Sequence, residues 1–240
     1  MKTYCIYLLL LSLLCENVLA QGDRHKVLII TGGHEFDRGA FFGMFDSFQD
    51  IEYKEAIQPE ANQLFTTTDI RDYSVIVFYD MTQEITREQQ AGFQQLVNRG
   101  IGLVFLHHAM VSYQQWDFYS QVLGGRFVLE SPQQQSSKKK ISTFQHNVHF
   151  MLKVSDPLHA ITKGINSFEV YDEVYGDVEI QKNITPLITT RNSESMNTVV
   201  WCQKVGAARS VYIQPGHGPE IFYLPEYRQL VYQAIKWSAM

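Results

Sequence analysis

Three short and almost uninterrupted apolar runs constrain the fold of this chain more than any other feature. They span residues 26–31, 74–79 and 102–106, and helix-like segments lie between them. Runs of this kind, rich in branched residues, are typical of strands buried on both faces. Strands that alternate with helices form right-handed crossovers, which place the strands parallel to one another. The pattern therefore predicts an α/β fold with a mainly parallel central sheet.

Weaker signals fill in the remaining elements. Thr86 is a helix-capping residue and Gly100 a helix-ending one, so they predict a helix over residues 86–98. The second half of the chain shows short strands and turns. Residues 198–202 and 209–213 flank Gly206 and predict either a hairpin or a pair of strands at the sheet edge. The other predicted elements are helices over 37–48 and 227–237 and strands over 51–55, 139–144 and 150–154.

Length and charge limit the classes of protein to consider. The chain has 240 residues, of which 45% are hydrophobic, and this suits one domain with a sizeable core. The net charge is −5 and no basic face stands out, which argues against nucleic acid as a partner. We expect a single domain over residues 21–240. The sequence leaves the oligomeric state open.

The first 20 residues have the pattern of a signal peptide. Lys2 supplies a positive charge, residues 6–14 form an apolar stretch too short for a typical membrane span, and small residues precede a cut after Ala20. We therefore expect export to the periplasm or beyond the cell, with no stable membrane span. Cleavage would leave Cys202 as the one cysteine of the mature chain, and its apolar surroundings in sequence predict a core residue.

Histidines follow several of the predicted strands. His34 comes after the first strand, directly behind Gly32 and Gly33, whose freedom of conformation permits close approach to a ligand. His107 and His108 follow the apolar run over residues 102–106. A fourth, His217, lies in a Pro-Gly turn behind the strand over 209–213. The carboxyl ends of parallel strands lie on one side of a sheet, so we expect His107 and His217 to share one crevice with His34 at its rim.

Two chemistries are open to such a crevice. Imidazole titrates near neutrality and can move protons, whereas two or three imidazoles with one carboxylate can hold zinc. Asp172 or Glu173 would supply the carboxylate, although side chains at adjacent strand positions point to opposite faces. The same rule predicts that His107 and His108 do not both enter the crevice unless the turn rotates one of them back. Each histidine taken alone also has a purely structural interpretation.

Several segments, in order, resemble the ThuA-like (trehalose utilisation) domain family. They are VLIITGGHEF, GLVFLHHA, DPLHAITKGI, FEVYDEVY, TVVWCQKVGAARSVYIQPGH and a last helix that ends in IKW. The resemblance implies a flavodoxin-like α/β sandwich similar to the class I glutamine amidotransferase domain. It also implies a role in the use of trehalose or keto-sugars. His107 matches a family histidine, whereas His108 stands where the family usually has a small residue.

The resemblance also limits the reaction. True amidotransferases carry a nucleophilic cysteine on the turn that corresponds to 106–109, and this chain has neither Cys nor Ser there, so we expect no amidotransferase activity. The leading hypothesis is an exported carbohydrate-processing enzyme, and the alternative is a non-catalytic carbohydrate-binding module. No cofactor is certain, and a divalent metal such as zinc is the candidate. The expected catalytic residues are His107, His217, Glu173 and Asp172. The expected substrate-binding residues are Gly32, Gly33, His34, His108, Tyr171 and Tyr175, with Trp116 as a further aromatic face for a sugar ring.

Overall fold

The computed structural model describes residues 24–129 and 140–240. The predicted leader lies outside the described residues. The strands are β1 (His25–Gly32), β2 (Ile51–Ile57), β3 (Val75–Asp80), β4 (Gly102–Leu106), β5 (Gly125–Arg126), β6 (Thr143–Val154), β7 (Phe168–Gly176), β8 (Glu179–Ile180), β9 (Thr185–Thr189), β10 (Thr198–Val205) and β11 (Ala208–Ile213). The α-helices are α1 (Arg38–Asp46), α2 (Arg87–Arg99), α3 (Asp117–Leu123) and α4 (Pro225–Ser238).

A nine-stranded sheet runs through the molecule in the order β2-β1-β3-β4-β11-β10-β9-β6-β7. The first five of these strands pair in parallel. The last four continue the sheet with antiparallel pairs, so that β10 and β6 run against the other strands. All six residues of β3 and all five of β4 are buried, because both faces of the sheet are covered. The predicted α/β fold with a mainly parallel central sheet is confirmed.

The helix ends lie where the capping residues predicted them. The side chain of Thr86 accepts a hydrogen bond from Gln89 in a capping box, and Gly100 ends α2 in a left-handed conformation with φ 90°. The Asp37 side chain caps α1 in the same way, by accepting from the amide of Ala40. These local rules set the helix bounds almost independently of the rest of the fold.

Of the two alternatives for residues 198–202 and 209–213, the structure confirms the hairpin. β10 and β11 pair around Gly206, and the pair lies inside the sheet rather than at its edge. β11 pairs in parallel with β4, and β10 pairs with β9. Both strands are therefore interior, which explains why most of their residues are buried. As a result, the turn that follows β11 lies beside the turn that follows β4.

Within the part of the chain that the structure describes, no helix has both the length and the apolar composition needed to cross a bilayer.

A buried carboxyl group at the end of β3 couples the stability of the fold to pH. Asp80 is 0% exposed, and the Nε2 of Gln58 donates to its Oδ2 over 3.0 Å. The same amide lies 2.9 Å from the hydroxyl of Tyr113 and 3.0 Å from Asn62 Oδ1. Burial raises the pKa of Asp80 to about 7, although the hydrogen bond from Gln58 opposes the shift. Asp80 thus stays protonated in the folded chain at pH values where the unfolded chain ionises it.

We expect Asp80→Asn to flatten the pH dependence of stability. Because the folded-state pKa is raised, the stabilising effect of protonated Asp80 is complete below pH 4 and is lost as the pH rises toward 7. The free energy of unfolding of the wild type should fall relative to that of the variant by roughly 1 kcal/mol per pH unit in this window. Urea unfolding at pH 5, 6 and 7 measures this difference. The exposed Asp69→Asn serves as control, and parallel curves for wild type and Asp80→Asn would contradict the prediction.

Candidate functional site

The turns after β1, β4 and β11 meet at the carboxyl edge of the parallel part of the sheet. They bring together the rings of His34, His107, His108 and His217. Ring centroids lie 5.3 Å apart for His107 and His217, and 4.1 Å apart for His34 and His108. The expected convergence of these histidines is therefore present, whereas their chemical roles stay predictions.

Both histidines of the adjacent pair enter the cluster because the backbone reverses at the first of them. His107 has φ 42°, in the left-handed region that non-glycine residues seldom adopt. The rotation places the ring of His107 against that of His108, with centroids 4.3 Å apart. In an extended backbone only one of the two rings would enter the crevice. The structure shows the exception allowed for in the prediction, because the turn at His107 rotates the second ring back.

A carboxylate from β7 lies at the centre of the cluster. Glu173 Oε2 is 2.7 Å from His107 Nε2 and 3.2 Å from His217 Nδ1. Its other oxygen, Oε1, is 3.1 Å from the Nδ1 of His146. Glu173 is 4% exposed and His107 is 0% exposed, so these contacts form largely away from water. One carboxylate thus joins three imidazoles contributed by β6 and by the turns after β4 and β11.

The sequence did not indicate that His146 belongs to the site. It lies in β6, and its side chain is half exposed. Between Gln145 and Val148 the register of β6 against β7 shifts by one residue, and Asn147 within the shift has φ 61°. A bulge of this kind re-aims a side chain, here that of His146, toward Glu173. The sequence did carry one signal of this bulge. Asparagine tolerates the left-handed region, and here it lies within a strand beside histidines.

Asp172 binds backbone rather than imidazole. Its carboxylate accepts from the amides of Gly216 at 2.5 Å, His217 at 3.0 Å and Gly218 at 2.9 Å. Three successive amides that converge on one buried carboxylate fix the path of the turn after β11. Glu173, the next residue along β7, contacts the imidazole of the same His217. The two carboxylates therefore make different contacts, in which Asp172 holds the backbone of the turn and Glu173 contacts its histidine side chain.

Two tyrosines hold the carbonyl groups of the same turn. Tyr79 donates to Gly216 O over 2.8 Å, and Tyr227 donates to Pro215 O over 2.9 Å. Gly216 has φ 144°, and a Cβ atom there would lie 2.8 Å from the Tyr227 hydroxyl. The turn is thus anchored on both its amide and its carbonyl groups, and His217 is carried on a rigid segment.

The Gly32-Gly33 turn packs against the protein itself. A Cβ atom on Gly33 would lie 1.9 Å from the carbonyl oxygen of Met81, so only glycine fits beside that backbone. The sequence predicted that a ligand would approach these glycines closely, whereas in the structure the backbone segment after β3 does so. The ring of His34 reaches the cluster from this turn, and its Nε2 lies 3.2 Å from Tyr79 O. His34 stays at the rim, as expected, where it packs against His108.

The predicted aromatic faces divide into two groups. Tyr171 is 39% exposed and lies two residues before Glu173, so both side chains are on the same face of β7. Its ring packs on that of His149 at 4.5 Å. Tyr175 is buried and stacked on His107, and Trp116 is buried beside Phe93, so neither offers a free face to a sugar ring.

The electrostatics of the cluster distinguish the ionised carboxylate of Glu173 from the neutral ring of His108. Burial raises the pKa of Glu173, but contacts with His107 and His217 outweigh this effect and bring it to about 2. The Glu173 carboxylate in turn raises the pKa of His217. Burial, followed by the neighbouring charge of His107, lowers the pKa of His108 well below its usual range. His108 is therefore a neutral imidazole with a free lone pair.

Cys202 is a core residue, as predicted. It is 3% exposed, and burial raises the pKa of its thiol to about 11. The structure adds a neighbour that the sequence did not reveal, since His159 Nε2 lies 3.7 Å from its Sγ. His159 also accepts from the amide of Ile161 and so holds a turn. With its raised pKa, Cys202 stays a thiol at neutral pH and is a poor nucleophile.

Comparisons with known proteins agree with this architecture. A family model described as ThuA, trehalose utilisation, matches residues 26–238. A search of curated proteins found no match.

Solved structures with similar folds include two proteins described as ThuA-like. That of Parabacteroides merdae has a TM-score of 0.75 at 17% identity, with 91% of each chain covered. That of Bacteroides uniformis has a TM-score of 0.66 at 19% identity, with 91% of this chain and 93% of the other covered. A glutamine amidotransferase of Thermotoga maritima has a TM-score of 0.52 at 11% identity, with 90% and 98% covered. At these identities the structural similarity shows the fold alone.

Proposed function

Since the chain belongs to the ThuA, or trehalose utilisation, family, we propose that it is an exported enzyme that processes a sugar or an oxidised sugar. The reaction is proton transfer by Glu173 and the imidazoles that contact it, those of His107, His146 and His217. One observation carries the proposal: a buried carboxylate contacts three imidazoles at the carboxyl edge of the sheet. This edge is where open α/β sheets bind their ligands.

The surroundings of the cluster suit a polar, cyclic substrate. The side chains of His217 and His146 are 37% and 49% exposed, so a ligand can reach Glu173 from their side. Tyr171 lies on the same strand face as Glu173 and offers an exposed ring next to His149. An aromatic face beside hydrogen-bonding groups matches the apolar face and hydroxyl edge of a sugar ring.

Acyl transfer is a poor alternative for this cluster. The turn that follows β4 carries His107 and His108 where an amidotransferase needs its nucleophilic cysteine. The backbone at His107 is left-handed, with φ 42°, and it carries an imidazole at this turn. The chemistry therefore belongs to imidazole and carboxylate groups rather than to a thiolate.

A panel of trehalose, other glucosides and their 3-keto derivatives tests the proposal. The mature chain is recovered after export, and mass spectrometry should find its first residue at or near Gln21. We expect turnover of at least one panel member, and a loss of at least about a hundredfold in His217→Ala, the usual scale of acid–base groups. His25→Ala is the matched control, because this imidazole lies at the start of β1, at the opposite edge of the sheet.

Three outcomes would count against the proposal. Saturable sugar binding without turnover, measured by calorimetry on the same panel, would favour a non-catalytic carbohydrate-binding module. Absence of both binding and turnover would remove the support for a carbohydrate ligand. Equal turnover in His217→Ala and His25→Ala would place the chemistry outside the cluster.

A further inference from the structure

We infer that His107, His108, Glu173 and His217 form the binding site of one divalent transition-metal ion of the zinc class. The inference deepens the proposed function and rests on it for the purpose of the site, but the ligand geometry supports it separately. One ligand atom from each of the four residues lies within 4.8 Å of all the others. In a tetrahedral zinc site, ligand atoms about 2.1 Å from the metal lie roughly 3.4 Å from each other, so modest rotations of the side chains would close the site.

The hydrogen bonds of His107 leave one of its nitrogens facing a carboxylate. Its Nδ1 lies 2.5 Å from the carbonyl oxygen of Gln214, which only accepts, so Nδ1 carries a hydrogen. Its Nε2 points at Glu173 Oε2, a second acceptor, over 2.7 Å. The Tyr175 hydroxyl also lies 3.0 Å from this Nε2, so the nitrogen either carries a second hydrogen, accepts from Tyr175, or directs its lone pair toward a cation shared with the carboxylate. A metal-binding histidine commonly donates its other N–H to a backbone carbonyl, which is the arrangement found here.

Two further imidazole nitrogens of the cluster are buried without hydrogen bonds. Among the described residues, neither His108 Nδ1 nor His217 Nδ1 has a hydrogen-bond partner. His217 Nδ1 is near Glu173 Oε2, but the direction of approach does not suit a hydrogen bond. Buried polar atoms without partners are uncommon and destabilising, and both residues belong to the group of four whose ligand atoms lie within 4.8 Å of one another. One cation between them would satisfy both lone pairs.

The surrounding residues orient the four ligands. His146 contacts Oε1 of Glu173, which leaves Oε2 directed at His107 and His217. Asp172 fixes the backbone of His217, as described above. His108 packs against His34, whose own Nε2 is near Tyr79 O. Outer contacts of this kind hold metal ligands in place, and they are already present around the cluster.

The donor set indicates the class of metal. Three imidazole nitrogens with one carboxylate oxygen are typical ligands of zinc and its transition-metal neighbours, whereas calcium and magnesium prefer oxygen ligands throughout. His217 is partly exposed, so the solvent side of the cluster can admit a sugar oxygen as a fifth ligand. A metal ion there would polarise a carbonyl or hydroxyl group of the substrate.

Zinc and cobalt titrations of the mature chain, without a polyhistidine tag and after treatment with chelator, test the inference. We expect one equivalent of Zn²⁺ per chain by calorimetry, a rise in melting temperature, and a visible Co²⁺ spectrum typical of a four-coordinate site. His217→Ala and Glu173→Gln should each weaken zinc binding by at least about a hundredfold. His146→Ala should weaken it by about tenfold, the lower end of the effect of an outer contact. His25→Ala should bind as the wild type does.

The inference is overturned if the folded chain binds neither Zn²⁺ nor Co²⁺ saturably. It is also overturned if His217→Ala and His25→Ala bind zinc equally. Circular dichroism establishes that both variants are folded, so that their zinc affinities can be compared. Measuring zinc binding and sugar turnover separately distinguishes a failure of the metal site from a failure of the proposed function. Zinc binding without sugar turnover would support the metal site and contradict the enzyme, whereas sugar turnover by a chain that binds no zinc would support the enzyme and contradict the metal site.

Discussion

Glu173→Gln is expected to reduce sugar turnover by at least about a hundredfold while the fold stays intact. The substitution keeps the shape of the side chain but removes the charge that faces His107, His146 and His217. Acid–base groups contribute about a hundredfold to ten-thousandfold to enzymatic rates, and the loss of a metal ligand has an effect at least as large. Initial rates on the best sugar of the panel measure the effect.

The fold should tolerate this change because the amide can replace one hydrogen bond. The glutamine NH₂ group can donate to His107 Nε2, while His107 Nδ1 continues to donate to Gln214 O. We therefore expect the melting temperature to stay within a few degrees of the wild-type value. Glu169→Gln is the matched control, since Glu169 is an exposed glutamate on the same strand, four residues earlier. A Glu173→Gln variant that keeps more than a third of the wild-type turnover would exclude Glu173 from the reaction.

The sheet and its polar edge were predictable because they depend on local patterns. Apolar runs identify β1, β3 and β4, and capping residues such as Thr86 and Gly100 set the helix ends. Once the strands are parallel, their carboxyl ends share one edge, so His34, His107 and His217 converge. This part of the site follows from periodicity and topology alone.

The remainder of the site depends on long-range geometry. β7 is four positions from β11 in the sheet, yet Gln214 Nε2 donates to Glu173 O over 2.8 Å, because the β6–β7 hairpin bends over the turn after β11. Neither this bend nor the bulge that aims His146 has a strong local signature. The left-handed turn at His107 is equally hidden, since only a few per cent of non-glycine residues adopt positive φ. The sequence could therefore not show that both His107 and His108 enter the cluster.

The glycine pair after β1 illustrates the difference between local sequence patterns and long-range geometry. The pair Gly32-Gly33 correctly indicates a place where backbone comes close, but the sequence does not say what comes close. In the structure it is the carbonyl of Met81. Asp172 is a similar case, because a carboxylate next to Glu173 looks like a second catalytic group until its three amide partners are seen.

These three amides make Asp172 a residue on which the stability of the turn depends. It is 4% exposed, and each of its hydrogen bonds joins a charged acceptor to a backbone donor. Hydrogen bonds to charged groups contribute roughly 1.5–3 kcal/mol each, and a buried donor left without a partner is destabilising in addition.

Asp172→Asn is accordingly expected to lower the free energy of unfolding by about 3 kcal/mol, because asparagine lacks the charge and turns an NH₂ group toward the backbone donors. Urea unfolding followed by tryptophan fluorescence measures the change. Asp177→Asn is the control, since this exposed residue of the adjoining turn pairs with Lys140 at the surface and should lose less than about 1 kcal/mol. The displaced turn should also move His217 away from Glu173, so turnover and zinc affinity should fall together in Asp172→Asn. A loss of stability no larger than that of Asp177→Asn would show that the turn keeps its path without this carboxylate.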